Sequence, residues 1–354
     1  MGILPFKKKH PSIVFHAYLV YFWGNQSLTM NTSEALLKQI NLALQAINLQ
    51  KKPARLYDPI QYVLSMGGKR LRPTICLMAA ELFTDDCTKA LKPALALEIF
   101  HNFTLLHDDI MDNAPTRRGR DCVHIHWDNN VAILSGDAMQ ILAYQVFGQA
   151  PSDFLSQGLP LFSQTAIEVC EGQQFDMDFE SQETVCIDEY MNMIRLKTAV
   201  LIAASLKLGA MAGGASPKDA DLLYDFGICI GLAFQLKDDL LDVYGDPLTF
   251  GKRIGGDIVC NKKTFMLINA LHLSSSEDRK ELENWISGKK IGSETEKIAA
   301  VTKLYTKCGI QDLCIQKMDA LQAEALEILN QVSVPAARKK LLIDFANELI
   351  DRTK

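Results

Sequence analysis

Two short stretches hold the residues best suited to chemistry: Thr104–Asp112 reads TLLHDDIMD and Phe234–Asp242 reads FQLKDDLLD. Each carries Asp-Asp-x-x-Asp after apolar residues. On a helix the first and last aspartates of such a cluster lie at i and i+4, so Asp108 stands above Asp112 and Asp238 above Asp242. Like charges at that spacing repel, and charged residues in apolar helices need a partner. A multivalent cation resolves the conflict. Hard oxygen ligands with no adjacent cysteine or histidine set suit Mg2+, which binds one or two carboxylates together with substrate phosphates. A solvated acidic helix face would explain one cluster, but it explains two of identical spacing poorly. An EF-hand is excluded, because there is no twelve-residue loop with a central glycine and terminal glutamate.

Cations gather near each cluster, as an anion-binding site in an acidic protein requires. Gly67-Gly68-Lys69-Arg70-Leu71-Arg72-Pro73 combines a glycine turn, three cations and a proline able to open the next helix. Glycines let backbone N–H groups approach an anion, and arginine grips phosphate bidentately. Arg117-Arg118-Gly119 follows the first cluster, where compensation of the helix dipole is the competing explanation. Lys252, in Gly251-Lys252-Arg253, and Lys262 follow the second. Lys197-Thr198 interrupts an apolar helix, where an unpaired lysine would be costly. Together they outline a pocket with metal-binding acids and phosphate-binding bases on opposing walls.

The elements that must position these groups are helices. Leu91–Leu106, Val131–Phe147, Val200–Met211 and Leu222–Leu241 repeat apolar residues at three- and four-residue spacing, and alternating strand patterns are scarce. With 48% hydrophobic residues over 354 positions and no linker or low-complexity tract, the chain reads as one large all-α bundle. Residues 30–354 are expected to form that domain. Before it, Lys7-Lys8-Lys9 and an apolar run from Ile13 to Trp23 are too short to span a bilayer. Residues 1–29 are therefore expected to lie outside the fold, as a start-site artefact or a loose surface anchor. Asn31-Thr32-Ser33 would cap a helix starting near Glu34. The net charge of −5 argues against a nucleic-acid surface. Nine cysteines without a C-x-x-C pair indicate reduced thiols in the cytoplasm.

The full set of motifs, in order from Tyr57 to the C-terminus, resembles the trans-type isoprenyl diphosphate synthases, which make farnesyl, geranylgeranyl and longer diphosphates. That resemblance implies an all-α bundle of the isoprenoid synthase type around a central cavity. It implies head-to-tail condensation of isopentenyl diphosphate with an allylic diphosphate, Mg2+ as cofactor with three ions per active site, and a homodimer. Asp108, Asp109 and Asp112 match the first aspartate-rich motif, and Asp238, Asp239 and Asp242 the second; both hold metal in the family. Gln173 and Asp176 match a Q-x-x-D element supporting the metal site. Arg117, Lys197 and Lys252 match contacts to the allylic diphosphate. Lys69, Arg72, His101 and Arg118 match those to isopentenyl diphosphate. Thr198 and Gln235, the latter preceded by Phe234, match groups facing the reacting carbons. Asp257 and Lys262 match elements closing the second site. Arg70 fits its motif without an assigned contact, and Val243-Tyr244-Gly245-Asp246 is a variant of the family's pattern.

Product length should be set along the first-motif helix, toward its N-terminal end. Phe103 lies five residues before Asp108, about 7.5 Å down the axis, with Thr104 beside it. A ring there can floor the tunnel, and in the family this pattern resembles enzymes with a C20 product. Ordinary core packing is the competing explanation for Phe103. C15 and longer products are the alternatives. A terpene cyclase is disfavoured by the second Asp-Asp-x-x-Asp and by the Gly67–Pro73 segment. A non-catalytic partner subunit is disfavoured because no acidic position is lost.

Overall fold

The computed structural model describes residues 31–246 and 254–351, and these are almost wholly helical. Lys252 and residues 1–29 lie outside the described residues. The first helix, α1 (Ser33–Gln45), is capped as expected: the Thr32 hydroxyl accepts from Ala35 N at 3.2 Å. It is followed by α2 (Ala54–Ser65), α3 (Leu71–Glu81) and α4 (Thr88–Met111). A two-residue hairpin, β1 (Thr116–Arg117) and β2 (Arg120–Asp121), then leads into α5 (Val123–His126), α6 (Asn129–Phe147) and α7 (Ser152–Ser181). Next come α8 (Ile187–Ile194), a π-helical turn at Arg195–Ala199, α9 (Val200–Gly213) and α10 (Pro217–Tyr244). The chain closes with α11 (Gly256–Val259), α12 (Phe265–Leu273), α13 (Ser276–Ile286), α14 (Glu294–Lys307), α15 (Ile310–Gln331) and α16 (Ala336–Asp351).

Helix α9 is the axis of the bundle and packs against α3, α4, α7 and α10. It has almost no polar face: Val200 to Leu206 and Leu208 to Ala210 are all buried. Each large aliphatic side chain there contributes about 1.5–3 kcal/mol of burial. The stretch Ile187–Gly213 is long and apolar enough to cross a membrane, but its apolar window is 78% buried inside the protein. It is a core helix. α10 lies between α9 and α15, and α4 packs between α3 and α6.

Two helix ends set up the site. α4 stops at the first aspartate cluster, with Asp112 as its C-cap donating its backbone N–H to Asp108 O at 2.9 Å. α10 begins at Ser216, whose hydroxyl accepts from Asp219 N, with Pro217 in the first position. It runs on through the second cluster to Tyr244. Pro73, expected to open a helix, instead sits in the first turn of α3, which starts at Leu71. A proline is tolerated there because the first-turn N–H groups have no intrahelical acceptor.

Candidate active site

The two aspartate clusters, 130 residues apart, meet around shared lysines. Lys197 Nζ lies 2.6 Å from Asp176 Oδ2 and 3.3 Å from Asp108 Oδ1, and Lys262 Nζ lies 3.5 Å from Asp176 Oδ2. Burial disfavours the charge on Lys262, but Asp176, Asp257, Asp239 and Asp112 outweigh it and raise its pKa. One lysine thus feels acids from both clusters. Burial likewise opposes ionisation of Asp176, yet Lys262 and Lys197 hold its carboxyl below the usual range. Asp112 goes the other way, pushed up by burial and by Asp108 while Lys197 and Lys262 oppose the shift.

Lys197 and Thr198 reach this position through the π-helical turn. Its extra residue breaks the α-helical register locally and re-aims side chains, a feature frequent at functional sites. α7 supports the turn so closely that a Cβ at Gly172 would lie 2.2 Å from Lys197 N. Gln173, next along α7, donates to the Met111 sulfur at 3.6 Å.

The middle aspartate of each cluster is buried to 5% exposure, unlike its outer neighbours, which are partly or more exposed. Asp109 Oδ1 receives Arg117 Nε at 2.6 Å. Burial raises the Asp109 carboxyl, and Arg117 opposes that. Asp239 accepts instead from neutral donors: the Tyr190 hydroxyl at Oδ2 and Gln235 Nε2 at Oδ1, 3.0 Å away. Burial and the charge of Asp257 push Asp239 up to about 7. Thr198 Oγ1 donates to Gln235 Oε1 at 2.9 Å, and Asp242 Oδ2 accepts from Asp257 N at 3.0 Å.

The basic side is built on strained turns. Arg118 and Gly119 have φ of 53° and 73°, the pair of positive angles that a type I′ hairpin demands. This turn holds Arg117 against Asp109 and sends Arg118 toward the Gly67–Gly68 loop, where it donates to Gly67 O. Gly68 is required there: at φ 123° its Cβ would lie 2.7 Å from the Arg118 guanidinium carbon. Arg70, at φ 47°, is structural, with ion-pair contact to Glu98 at 2.7 Å and a hydrogen bond to Leu64 O at 2.6 Å. Arg72 Nη1 donates to His101 Nε2 at 3.0 Å. His101 must then be neutral with its proton on Nδ1, since arginine only donates. Burial, then Arg72, Arg118 and Arg117, hold His101 well below its ordinary pKa. Burial lowers Arg72 to about 10, which leaves it charged at neutral pH, and its Nε has no protein partner. So dense a positive cluster suits an anion. Lys69 lies exposed on the same loop.

A Mg2+ site was expected from these acids. Among the described residues no three His, Cys, Asp or Glu side chains converge closely enough to cage a metal alone. The donor set still fits Mg2+, which takes one or two carboxylates and completes its shell with water and phosphate. Asp108 Oδ1 is buried and accepts no hydrogen bond, and Lys197 Nζ lies 3.3 Å from it. Phe103 is buried one turn below on α4, its ring 4.8 Å from His107 and 5.4 Å from Phe100, and Thr104 donates to His101 O at 2.8 Å. Sequence reasoning passed over Tyr190, although its spacing of seven from Lys197 is a same-face signal.

An all-helical bundle whose paired acidic clusters face lysines and a cluster of arginines is the architecture of a diphosphate-handling transferase. A polyprenyl synthetase family model matches residues 53–305. The chain is 35% identical over 319 residues to a geranylgeranyl diphosphate synthase of Methanosarcina mazei, covering 88% of this chain and 94% of that one. It is 41% identical over 249 residues to a short chain isoprenyl diphosphate synthase of Methanothermobacter thermautotrophicus, covering 70% and 75%. A crystal structure of a geranylgeranyl pyrophosphate synthase superposes with a TM-score of 0.87 at 42% identity, covering 92% of this chain and 100% of that chain. The chain belongs to the polyprenyl synthetase family and is a prenyltransferase.

Proposed function

We propose that the enzyme condenses isopentenyl diphosphate head to tail with an allylic diphosphate and releases a C20 product, geranylgeranyl diphosphate. The observation that carries this reading is that Lys262 feels acids of both aspartate clusters, while Lys197 joins Asp108 to the Asp176 it shares with Lys262. Asp108, Asp112, Asp238 and Asp242, with Asp176 behind them, would hold Mg2+; Asp109 and Asp239 sit deeper, in the packing. When bound, Mg2+ neutralises charge developing on the departing diphosphate. The three ions expected from the family resemblance belong to this proposal.

Arg117, Lys197, Lys262 and, from outside the described residues, Lys252 bind the allylic diphosphate and stabilise its negative charge in a site shielded from water. Lys69, Arg72, His101 and Arg118 hold isopentenyl diphosphate so that its double bond faces the allylic carbon, an orientation effect. Thr198 Oγ, Gln235 Oε1 and the Lys197 carbonyl present dipoles rather than full charges to the carbocation, which steadies it without capturing it. Solvent exclusion by the surrounding apolar helices protects it. The departing diphosphate takes the proton as the new alkene forms.

Phe103 serves as the floor that stops growth at twenty carbons. A second copy of the chain covers α6, where Ile133, Leu134 and Ile141 are 44%, 60% and 60% exposed. Positions 134 and 141 share a face at i, i+7, a suitable seam for a homodimer. All nine cysteines are free thiols, in keeping with a cytoplasmic enzyme. The test is incubation of the purified protein with Mg2+, labelled isopentenyl diphosphate and farnesyl diphosphate, followed by sizing of the products. A twenty-carbon diphosphate is expected. A cyclised hydrocarbon, or no product, would refute the reading.

A further inference from the structure

One buried side chain in contact with the second aspartate cluster is unused by the reaction as described above. Tyr190, on α8, is 2% exposed and donates its hydroxyl to Asp239 Oδ2. Gln235, one turn before Asp239 on α10, donates Nε2 to Asp239 Oδ1 at 3.0 Å. Its other end, Oε1, accepts from Thr198 Oγ1 at 2.9 Å. The result is one unbroken chain, Tyr190–Asp239–Gln235–Thr198. It starts on α8, crosses to α10 and returns to the π-helical turn that continues α8.

This chain decides which way the Gln235 amide faces. A glutamine amide has two ends of nearly equal shape, one donating and one accepting, and its surroundings select the orientation. With the Tyr190 hydroxyl on Oδ2, Asp239 presents Oδ1 as an acceptor, and the Gln235 Nε2 end faces it at 3.0 Å. Oε1 is thereby turned to Thr198, with a second lone pair left for the cavity. The Asp239 carboxyl can impose this only if it is itself held, and Tyr190 holds its other oxygen. Both Asp239 oxygens are engaged by protein donors in a site 5% exposed. The outer aspartates Asp238 and Asp242 are more open.

We infer that Tyr190 is a positioning residue for the condensation: through Asp239 it fixes the Gln235 carbonyl beside Thr198, and Asp239 serves this relay rather than the metal. The inference rests on the reading that Gln235 and Thr198 face the reacting carbons. Tyr190→Phe removes one hydroxyl and keeps the ring. It should lower kcat about tenfold, the effect of one lost hydrogen bond, with both KM values and the Mg2+ concentration for half-maximal rate unchanged. Binding of a non-reactive allylic thiodiphosphate with Mg2+, read by calorimetry, should match wild type. Asp239→Asn should behave similarly, and the double variant should be no slower than the slower single, as members of one chain are not additive. Asp238→Ala is the control that loses Mg2+-dependent binding of the analogue.

Wild-type kcat in Tyr190→Phe, with a slow Gln235→Leu, would overturn the role of Tyr190 and leave that of Gln235 standing. Full turnover in Gln235→Leu would remove the underlying reading, and this inference with it. Loss of analogue binding in Tyr190→Phe or Asp239→Asn, as in Asp238→Ala, would return Asp239 to the metal and also overturn the inference.

Discussion

Asp109 and Asp239 hold the same place in identically spaced aspartate clusters and are equally buried, at 5% exposure. Their surroundings differ. Asp109 meets a guanidinium, Arg117, delivered by a tight hairpin eight residues on. Asp239 meets a phenol and an amide, Tyr190 from α8 and Gln235 from its own helix. Burial raises both carboxyls; the Arg117 guanidinium opposes the rise at Asp109, whereas the charge of Asp257 adds to it at Asp239. The same motif therefore does different work in its two copies, and the neighbours supplied by other elements decide which. The outer aspartates are the common part: in each cluster they share a helix face, and the cations of the site lie between the two faces.

The largest expected effect follows from that common part. Asp108→Ala and Asp238→Ala should each lower kcat about a thousandfold while circular dichroism shows an intact helical fold. Near-normal turnover in either would break the equivalence of the two walls. Phe103→Ala separates the walls in another way, since the product floor proposed above lies on α4. Its products should run beyond twenty carbons, and an unchanged spectrum in a sizing assay would remove Phe103 from that role.

Stability should sort the middle aspartates. Asp109→Asn strips Arg117 of its main partner; with Arg117 about a quarter exposed, the loss should be about 1–2 kcal/mol. Asp239→Asn replaces a carboxyl that is easily protonated and should cost less, which urea denaturation of the metal-free protein can resolve. Equal losses would erase the contrast.

The smallest effect is on pH dependence. The Asp239 carboxyl is raised from 3.8 to about 7 by folding. Between those values the folded state holds a proton that the unfolded state has released. Its contribution to stability therefore falls as pH rises through that window. Asp239→Asn should flatten this part of the stability profile of the metal-free protein, whereas an unchanged slope would assign the proton elsewhere.

Much of this was legible in the sequence because it violates a pattern. Asp108, Asp112, Asp238, Asp242 and Lys197 are charges set in apolar helical periods, and an expensive charge advertises its function. The helical class followed from the same periods. The π-helical turn was not legible, since Arg195–Ala199 keeps an ordinary helical composition; it shows in the backbone, where Val200 N–H donates to Arg195 O, and α7 approaches it closely at Gly172. A Cβ there would overpack the turn, so Gly172→Ala should destabilise the fold by about 1–3 kcal/mol. Tyr190 was missed because its spacing from Lys197 suits a core tyrosine as well as a site residue, and its hydroxyl contact to Asp239 is what distinguishes the two. Arg70 fits its motif without a contact that the sequence assigns, and its pairing with Glu98 and Leu64 O makes it a brace for the loop.

The most direct measurement is a crystal structure of the enzyme with Mg2+ and a non-reactive allylic thiodiphosphate. Shared coordination requires ions that link one diphosphate to Asp108 and Asp112 on one side and to Asp238 and Asp242 on the other. Ions and diphosphate confined to a single cluster, with the other facing only water, would contradict it.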